Sequence, residues 1–432
     1  MNYTRFLNRL SLARKPSPIR ILTAILNESS AEMISMAGGM PNTQTFPIME
    51  ASFKLRDGTV LELDQNIMNK GLQYAPTPGL PDLVTWIEGL QSRVHNPPTY
   101  NDKSHPGKME CLVTCGSQDG LCKAFEALVS EGDNVLLEHP TYSGTLAIVG
   151  PMAANLIPVN SDSQGLDPSH LRKTLSRWSP SDFSRSGSGA PKILYCIPNG
   201  GNPTGTSLNL ERKKEIYKIA QEYDLLILED DPYFYIQFTK PYIPSLLSMD
   251  VDGRVLRFDS MSKLLSSGMR IGVLTGPKPI VDRVNLHMQC SVMHASGLSK
   301  VFLIKLFEHW GHDGFLEHAE KTATFYETKR DLCLKSAEKH LKVCVSGLAE
   351  WSVPTGGMFL WLKLNVKDTK KMIEVKARAN NVLFVPGSAF MIDQSQPCSH
   401  IRASYSTATP EEMDLAFKRL ADLIREEVKE SD

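Results

Sequence analysis

No stretch of the 432-residue chain offers the run of about 20 apolar residues that a membrane-crossing helix needs. Charge of neither sign dominates, since Lys and Arg number 47 against 48 Asp and Glu. So close a balance removes any global electrostatic argument for nucleic acid or an acidic membrane surface as partner. The eight cysteines, at positions 111, 115, 122, 196, 290, 333, 344 and 398, include no C-x-x-C pair and lie mostly inside apolar segments. They read as reduced core residues and not as a secreted disulfide framework. Cys111 and Cys115 are poor metal-ligand candidates with His139, which precedes a proline in an unrelated loop. Two nucleotide signatures are also missing. Gly116 and Gly120 do not make G-x-G-x-x-G, and no G-x-x-x-x-G-K-[ST] occurs, which argues against nucleoside triphosphate use. Finally, no acidic residue precedes Glu28, while Arg5, Arg9, Arg14, Lys15 and Arg20 fall among leucines and serines. That composition suits an organelle-import helix and equally an ordinary amphipathic first helix.

What is present is a regular alternation. Length alone suggests two or three domains. Glycines and prolines make 34–47 and 72–81 extended and turn-rich, and helical spacing follows over 81–91. Strands are predicted at 112–114, 134–138, 156–159, 192–197, 225–228, 255–258 and 271–275, with helices at 120–129, 166–175 and 210–223 between them. The Ser- and Gly-rich run 179–190 reads as a surface loop. Strand, loop, helix, strand is the pattern of an α/β fold with a mainly parallel central sheet covered on both faces. After a long helical region from 279 to about 340, strands at 358–364, 382–385 and 400–404 with helices at 367–379 and 410–429 predict a smaller α+β domain. The expected division is an N-terminal segment 1–45, a large domain 46–335 and a small domain 336–432.

In such sheets ligands sit beyond the carboxyl ends of strands. Ser117, Tyr142, Asn202, Asp230, Tyr233 and Lys263 each fall just after a predicted strand. Lys263 keeps unusual company: Ser260, Ser262, Ser266 and Ser267 offer donors, Gly268 and Gly272 permit close backbone approach, and Arg270 supplies a fixed positive fork. A phosphate could be held beside a lysine there, and a lysine relieved of its charge condenses with carbonyls. A carbonyl compound carrying a phosphate is pyridoxal 5'-phosphate. The rival reading is a Ser/Gly turn with a solvated Lys263. Asp230 ends an apolar run, and a buried carboxylate needs a cation. A pyridinium nitrogen would serve, and the ring would then draw electrons from an adjacent carbanion. Metal binding by Glu229, Asp230 and Asp231 is the alternative, disfavoured by Pro232 and by the lack of a second acidic cluster. Asn202 and Tyr233 suit the phenolic oxygen of that ring, and Tyr142 its face. The turn from Gly116 opens a helix whose free N–H groups favour an anion, and with Ser117 and Gln118 it would complete the phosphate cup. Arg402, in the strand-like run 399–404, is either the clamp for a substrate carboxylate or an ordinary salt-bridge residue. His309 and His312 read as structural or surface residues and not as ligands, and the scattered methionines as core filler.

Asn202-Pro-Thr-Gly205, Asp230 with Tyr233, and Ser260-x-Ser-Lys263 with Arg270 resemble, in order and spacing, the fold type I pyridoxal-phosphate aminotransferases of class I/II. The similarity runs from about Met1 to the C-terminus. Pro18-Ile-Arg20, Ala37-Gly-Gly39, Leu72-Gln-Tyr74, Gly116-Ser-Gln118, Asp230-Asp-Pro-Tyr233 and Gly387-Ser-Ala-Phe390 look most like the mitochondrial kynurenine/2-aminoadipate branch. The resemblance implies that Lys263 bonds the cofactor and shuttles the proton, Asp230 holds the pyridine nitrogen, Tyr233 and Asn202 the phenolic oxygen, and Tyr142 the ring face. It gives the phosphate to Ser117, Gln118, Ser260, Ser262 and Arg270, joined by Tyr74 from the other subunit of a homodimer. Arg402 would take the α-carboxylate, with Arg20 and Gly39 near the substrate side chain. Met40 and Gly201 depart from the leucine and asparagine expected there, which bears on substrate preference. The implied reaction transfers the amino group of L-2-aminoadipate or L-kynurenine to 2-oxoglutarate, giving 2-oxoadipate or the kynurenate-forming oxo acid and L-glutamate. No metal is implied, and the mitochondrial matrix is the implied location, with the cytoplasm as alternative. Two rivals keep the fold: a β-lyase acting on cysteine conjugates, and a non-catalytic regulator, for which the basic residues before Ile34 are too few to make a DNA-binding module.

Overall fold

The structure is a computed structural model that describes residues 1–18, 21–22, 25, 33–34, 36, 39–185, 187–342 and 347–431. Its strands are β1 (Ala51–Lys54), β2 (Val60–Leu63), β3 (Met109–Thr114), β4 (Asn134–His139), β5 (Asn155–Asp162), β6 (Gly165–Leu166) and β7 (Ile193–Cys196). They continue with β8 (Leu226–Asp230), β9 (Val255–Ser260), β10 (Gly272–Pro277), β11 (Ala349–Trp351), β12 (Phe359–Leu364), β13 (Val385–Pro386) and β14 (His400–Ser404). The chain divides into two compact units, residues 1–131, 226–232 and 246–318 forming one and the remainder the other. Among the described residues no helix is long and apolar enough to cross a membrane.

In the first unit the strand order is β3-β10-β9-β8. β8 and β9 run parallel, while β10 is antiparallel to both β9 and β3. The continuous apolar runs of the sequence become strands buried along their whole length, as expected where helices cover both faces. The helix Pro81–His95 covers one face, its Gln91 reaching Asp259 and Thr275. The helix Ser117–Leu128 covers the other, where a Cβ on Gly120 would touch Thr114 and Phe258. The hairpin β1–β2 and the helix Gln65–Leu72 were not among the predicted elements. Their local signals are an Asp57-Gly58 turn, with Gly58 at φ 95° and Asp57 accepting from the Thr59 amide, and Asp64 capping Ile67.

The first thirteen residues are built into this unit. Phe6 is fully buried, and the Tyr3 hydroxyl donates to the Gly253 carbonyl at 2.9 Å. The Asn8 side chain donates to the carbonyls of Glu126 and Val129 at 2.7 and 2.8 Å, and its amide to Ala127 at 2.9 Å. Those are the orphan carbonyls at the end of the helix Ser117–Leu128, so a distant asparagine acts as its C-terminal cap.

The second unit carries β7-β4-β5 in parallel, with the short β6 antiparallel to β5, and a separate antiparallel sheet in the order β11-β12-β14-β13. Three expectations need correction. The helix expected at 166–175 begins at Pro168, because Gly165–Leu166 pair with β5 and Asp167 caps the helix. The expected loop 179–190 contains a helical turn, Pro180–Ser184, pinned by buried Phe183 against Tyr223. The strand expected at 382–385 shrinks to Val385–Pro386, since Asn381 turns the chain at φ 53° and only those two residues pair with β14.

Near the end of β4, Glu138 is buried and accepts from the Ile197 amide at 2.7 Å and the Ser161 hydroxyl at 3.1 Å. Burial pushes its carboxyl up from 4.5 to about 7, against those two donors. The folded chain therefore keeps a proton that the unfolded chain releases. This contribution to stability is whole below about pH 4.5 and is lost as pH rises through 7, by about 3 kcal/mol at most. Glu138→Gln is expected to flatten the pH dependence of the melting temperature between pH 5 and 8; an unchanged slope would contradict the assignment.

Candidate active site

Within the first unit the strand register decides what meets what. Gly272 of β10 pairs with Ser260 of β9 on one side and Thr114 of β3 on the other. The turns that leave β3 and β9 therefore start at the same level on either side of Gly272, which brings Ser117 and Ser262 to the same edge as Arg270. A Cβ on Gly272 would strike the Ser117 amide, and one on Gly116 would strike the Arg270 guanidinium. Gly116 also sits at φ 83°, where L side chains are strained. The Arg270 Nη1 lies 3.5 Å from the Ser262 hydroxyl and 3.2 Å from the Ser267 carbonyl. A helix N-terminus, a guanidinium and hydroxyls around a cradle that only glycine leaves open are the donor set a phosphate needs. Gln118 is the second residue of that helix.

Lys263, half-buried, follows in the turn after β9. That turn is held by Met261 N to Ile271 O at 3.1 Å, Leu265 N to Met261 O at 2.9 Å, and the His318 Nε2 donating to the Leu264 carbonyl at 2.8 Å. Asp230 ends β8, buried, and pairs in register with Phe258 of parallel β9. Its side chain thus leaves the sheet on the face of Phe258, toward the helix Ser117–Leu128, while Glu229 and Asp231 point the opposite way. Tyr74 is half exposed beside His294, and lines a cleft of about 500 Å³ with Pro41, Gln73 and Met293. Gly39 is exposed, with nothing within 4 Å of where a Cβ would stand. Arg20 lies outside the described residues.

The second unit brings together the other four residues. Arg402 projects from β14, and its Nη1 donates to the side-chain oxygen Oδ1 of Asn202 at 2.8 Å. Its guanidinium lies over the rings of Phe359 at 4.3 Å and Phe390 at 5.0 Å. Asn202 gets there because Gly200 and Gly205, both at positive φ, let its loop press against the backbone of Gly357 and Phe359, where any Cβ would collide. Tyr233 meets Phe359 edge-on at 5.9 Å, and Tyr142 caps the helix Ser143–Val149 just beyond β4. Burial lowers the Arg402 pKa, and Tyr233 and Tyr142 pull the other way. Among the described residues the Arg402 Nε is buried without a hydrogen-bond partner. A desolvated guanidinium with a donor to spare is suited to an incoming carboxylate.

Some residues near these groups were not anticipated. Arg257, Asp259, Gln91 and His318 tie the ends of β8 and β9 in place. Only alternation within 255–260 hinted that Arg257 and Asp259 share a face. The thiol of Cys111 meets Thr275, and burial holds its pKa high. Among the described residues, no three His, Cys, Asp or Glu side chains gather as a metal-binding group.

A model of the family described as aminotransferase class I and II matches residues 43–420, and the chain belongs to that family. It has the fold type I architecture, and its cofactor is pyridoxal 5'-phosphate. The kynurenine/alpha-aminoadipate aminotransferase, mitochondrial, of Mus musculus is 49% identical over 427 residues, covering 99% of this chain and 100% of that protein. The Bos taurus protein of the same name is 48% identical over the same span. The crystal structure of aminotransferase Aro8 from Candida albicans superposes with a TM-score of 0.85 at 27% identity, covering 99% of each chain.

The phosphate cradle yields a test of its own. Gly272→Ala is expected to weaken cofactor affinity at least about tenfold, because the new methyl must displace the start of the helix at Ser117. Titrating apoprotein with the cofactor by absorbance measures this; wild-type affinity would show that the cradle is not the phosphate site.

Proposed function

We propose that the chain transfers the amino group of L-2-aminoadipate or L-kynurenine, within a broad amino-acid range, to 2-oxoglutarate. The observation that carries the reading is Arg402, bonded to Asn202 at 2.8 Å with its Nε still to be satisfied. The names of the mouse and bovine relatives support the substrate class. The bound cofactor supplies an electron sink that lets a proton leave the substrate α-carbon. Lys263 anchors the cofactor and then carries that proton. Asp230 keeps the ring nitrogen protonated, and Tyr142 packs on the ring face. Asn202 and Tyr233 hold the phenolic oxygen; Ser117, Gln118, Ser260, Ser262 and Arg270 hold the phosphate. Arg402 orients the substrate carboxylate. Arg20 and Gly39 border the substrate side chain, and Arg20 pairs with a second carboxylate or stacks on an aromatic ring.

Tyr74 serves the phosphate of a second copy in a homodimer. Exposed Ile34, Met36, Met40, Ile48 and Met49, with half-exposed Tyr74, support an apolar surface that a second copy would cover. The division at 1–45, 46–335 and 336–432 belongs to the same proposal, supported for its last part by the sheet from β11 to β14. The mitochondrial matrix is the location that the relatives' names support.

A substrate panel with 2-oxoglutarate as acceptor tests the reading: one glutamate should form per oxo acid. Pyruvate and ammonia released from cysteine conjugates without an acceptor would favour the β-lyase instead. Arg402→Ala is expected to raise KM about 100-fold or more for every amino acid, since a charge-assisted fork is lost. Arg20→Ala should change the preference between aminoadipate and kynurenine, and uniform effects from both would contradict the role given to Arg20.

A further inference from the structure

Behind Asp230, on the opposite face of the strands, lies a buried ionic cluster. The Arg257 Nη1 reaches the Asp231 carboxylate at 2.8 Å and that of Glu229 at 3.3 Å. Its Nη2 and Nε take the two oxygens of Asp259 at 2.7 and 3.1 Å. Asp259 also accepts from the Gln91 side-chain Nε2 at 2.8 Å, and the same nitrogen reaches the Thr275 hydroxyl at 2.8 Å. Glu229 accepts from the amides of Leu246 and Leu247 at 2.7 and 3.1 Å. Arg257 and Glu229 have no exposed surface, and Asp231 only 1%. Burial opposes the Arg257 charge, and Asp259, Asp231 and Glu229 outweigh it.

One guanidinium thus faces three carboxylates in the buried interior. If the cluster only filled space, apolar side chains of similar volume would do so at less cost. The position of the surplus negative charge gives it a use. Asp231 adjoins Asp230, and Asp259 adjoins Ser260 at the start of the lysine turn. A fixed negative field favours protonated groups nearby, and screening is weak for buried charges. We propose that Arg257, Asp259, Asp231 and Glu229 form a positioning cluster that holds Asp230 and the Lys263 turn and keeps the cofactor nitrogens protonated. This rests on the proposed roles of Asp230 and Lys263.

From the helix Pro81–His95 the neutral Gln91 meets Asp259, and from β3 Cys111, its thiol held protonated by burial, meets Thr275 beside it.

The test uses holoenzyme and follows the pH midpoint of the visible absorption band of the lysine-bound cofactor. Asp259→Asn removes one negative charge beside the lysine turn and is expected to lower that midpoint by about one pH unit. Arg257→Lys, which keeps the charge but loses the fork, is expected to leave the midpoint in place while lowering the melting temperature. A structural role alone would move the second readout and not the first. Should Asp259→Asn not fold, Asp231→Asn reads the same field with the same sign. An intact band whose midpoint stays put in the foldable variant overturns this proposal and leaves the aminotransferase reading standing. A wild-type protein showing no band when supplied with cofactor overturns both.

Discussion

Replacing Lys263 with alanine is expected to reduce turnover at least about 10⁴-fold and to abolish the visible band of the lysine-bound cofactor. Two losses combine: the amine that anchors the cofactor, and the base that moves the substrate proton. The fold should survive, because the bonds that hold the turn, from Met261, Leu265 and His318, run through backbone atoms or other side chains. A half-buried lysine in such a turn contributes little to stability, so the melting temperature should stay within roughly 3 °C. Absorbance, circular dichroism and an assay with 2-aminoadipate and 2-oxoglutarate check the three statements together. Retained turnover would remove Lys263 from the chemistry.

The second large effect concerns residues 1–13, whose basic, acid-free composition resembles a removable import segment. Deleting them is expected to lower the melting temperature by roughly 10 °C or more, because a buried Phe6 alone is worth about 3–5 kcal/mol. Tyr3 adds a hydrogen bond to Gly253 and a fitted site, since a Cβ on Gly107 or Gly253 would run into its hydroxyl. Asn8 caps the far end of the helix whose first residue is Ser117, so the deletion should also loosen cofactor phosphate binding. Phe6→Ala and Asn8→Ala divide the two contributions, packing and capping. Mass determination of the mature protein gives the biological answer: it should retain these residues. A mature form lacking them, with wild-type stability, would contradict the expectation.

Much of the candidate site was legible because its residues stand at strand ends, and strand ends have local signals. Apolar runs stop at Thr114, His139, Cys196, Asp230 and Ser260, and each is followed within a few residues by a polar side chain of definite chemistry. The glycines at 116, 200, 205 and 272 were visible as glycines, but what each makes room for was not. Register supplied that, by setting Gly272 between Thr114 and Ser260. The hairpin β1–β2 and the turn at Phe183 were missed because each is short, and short segments carry too few periods for alternation or helical spacing to stand out.

Sequence by itself determined the α/β alternation, the lysine with its serines and arginine, and the acid at the end of β8, since period, turn chemistry and order along the chain are properties of neighbours. Only tertiary structure decided that Arg402 would meet Asn202 from 200 positions away, that Asn8 would cap a helix 118 positions on, and that one arginine would sit among three acids behind Asp230. The physical reason is that such contacts are made by packing and register, which sum weak preferences over the whole chain and leave no mark at either partner alone.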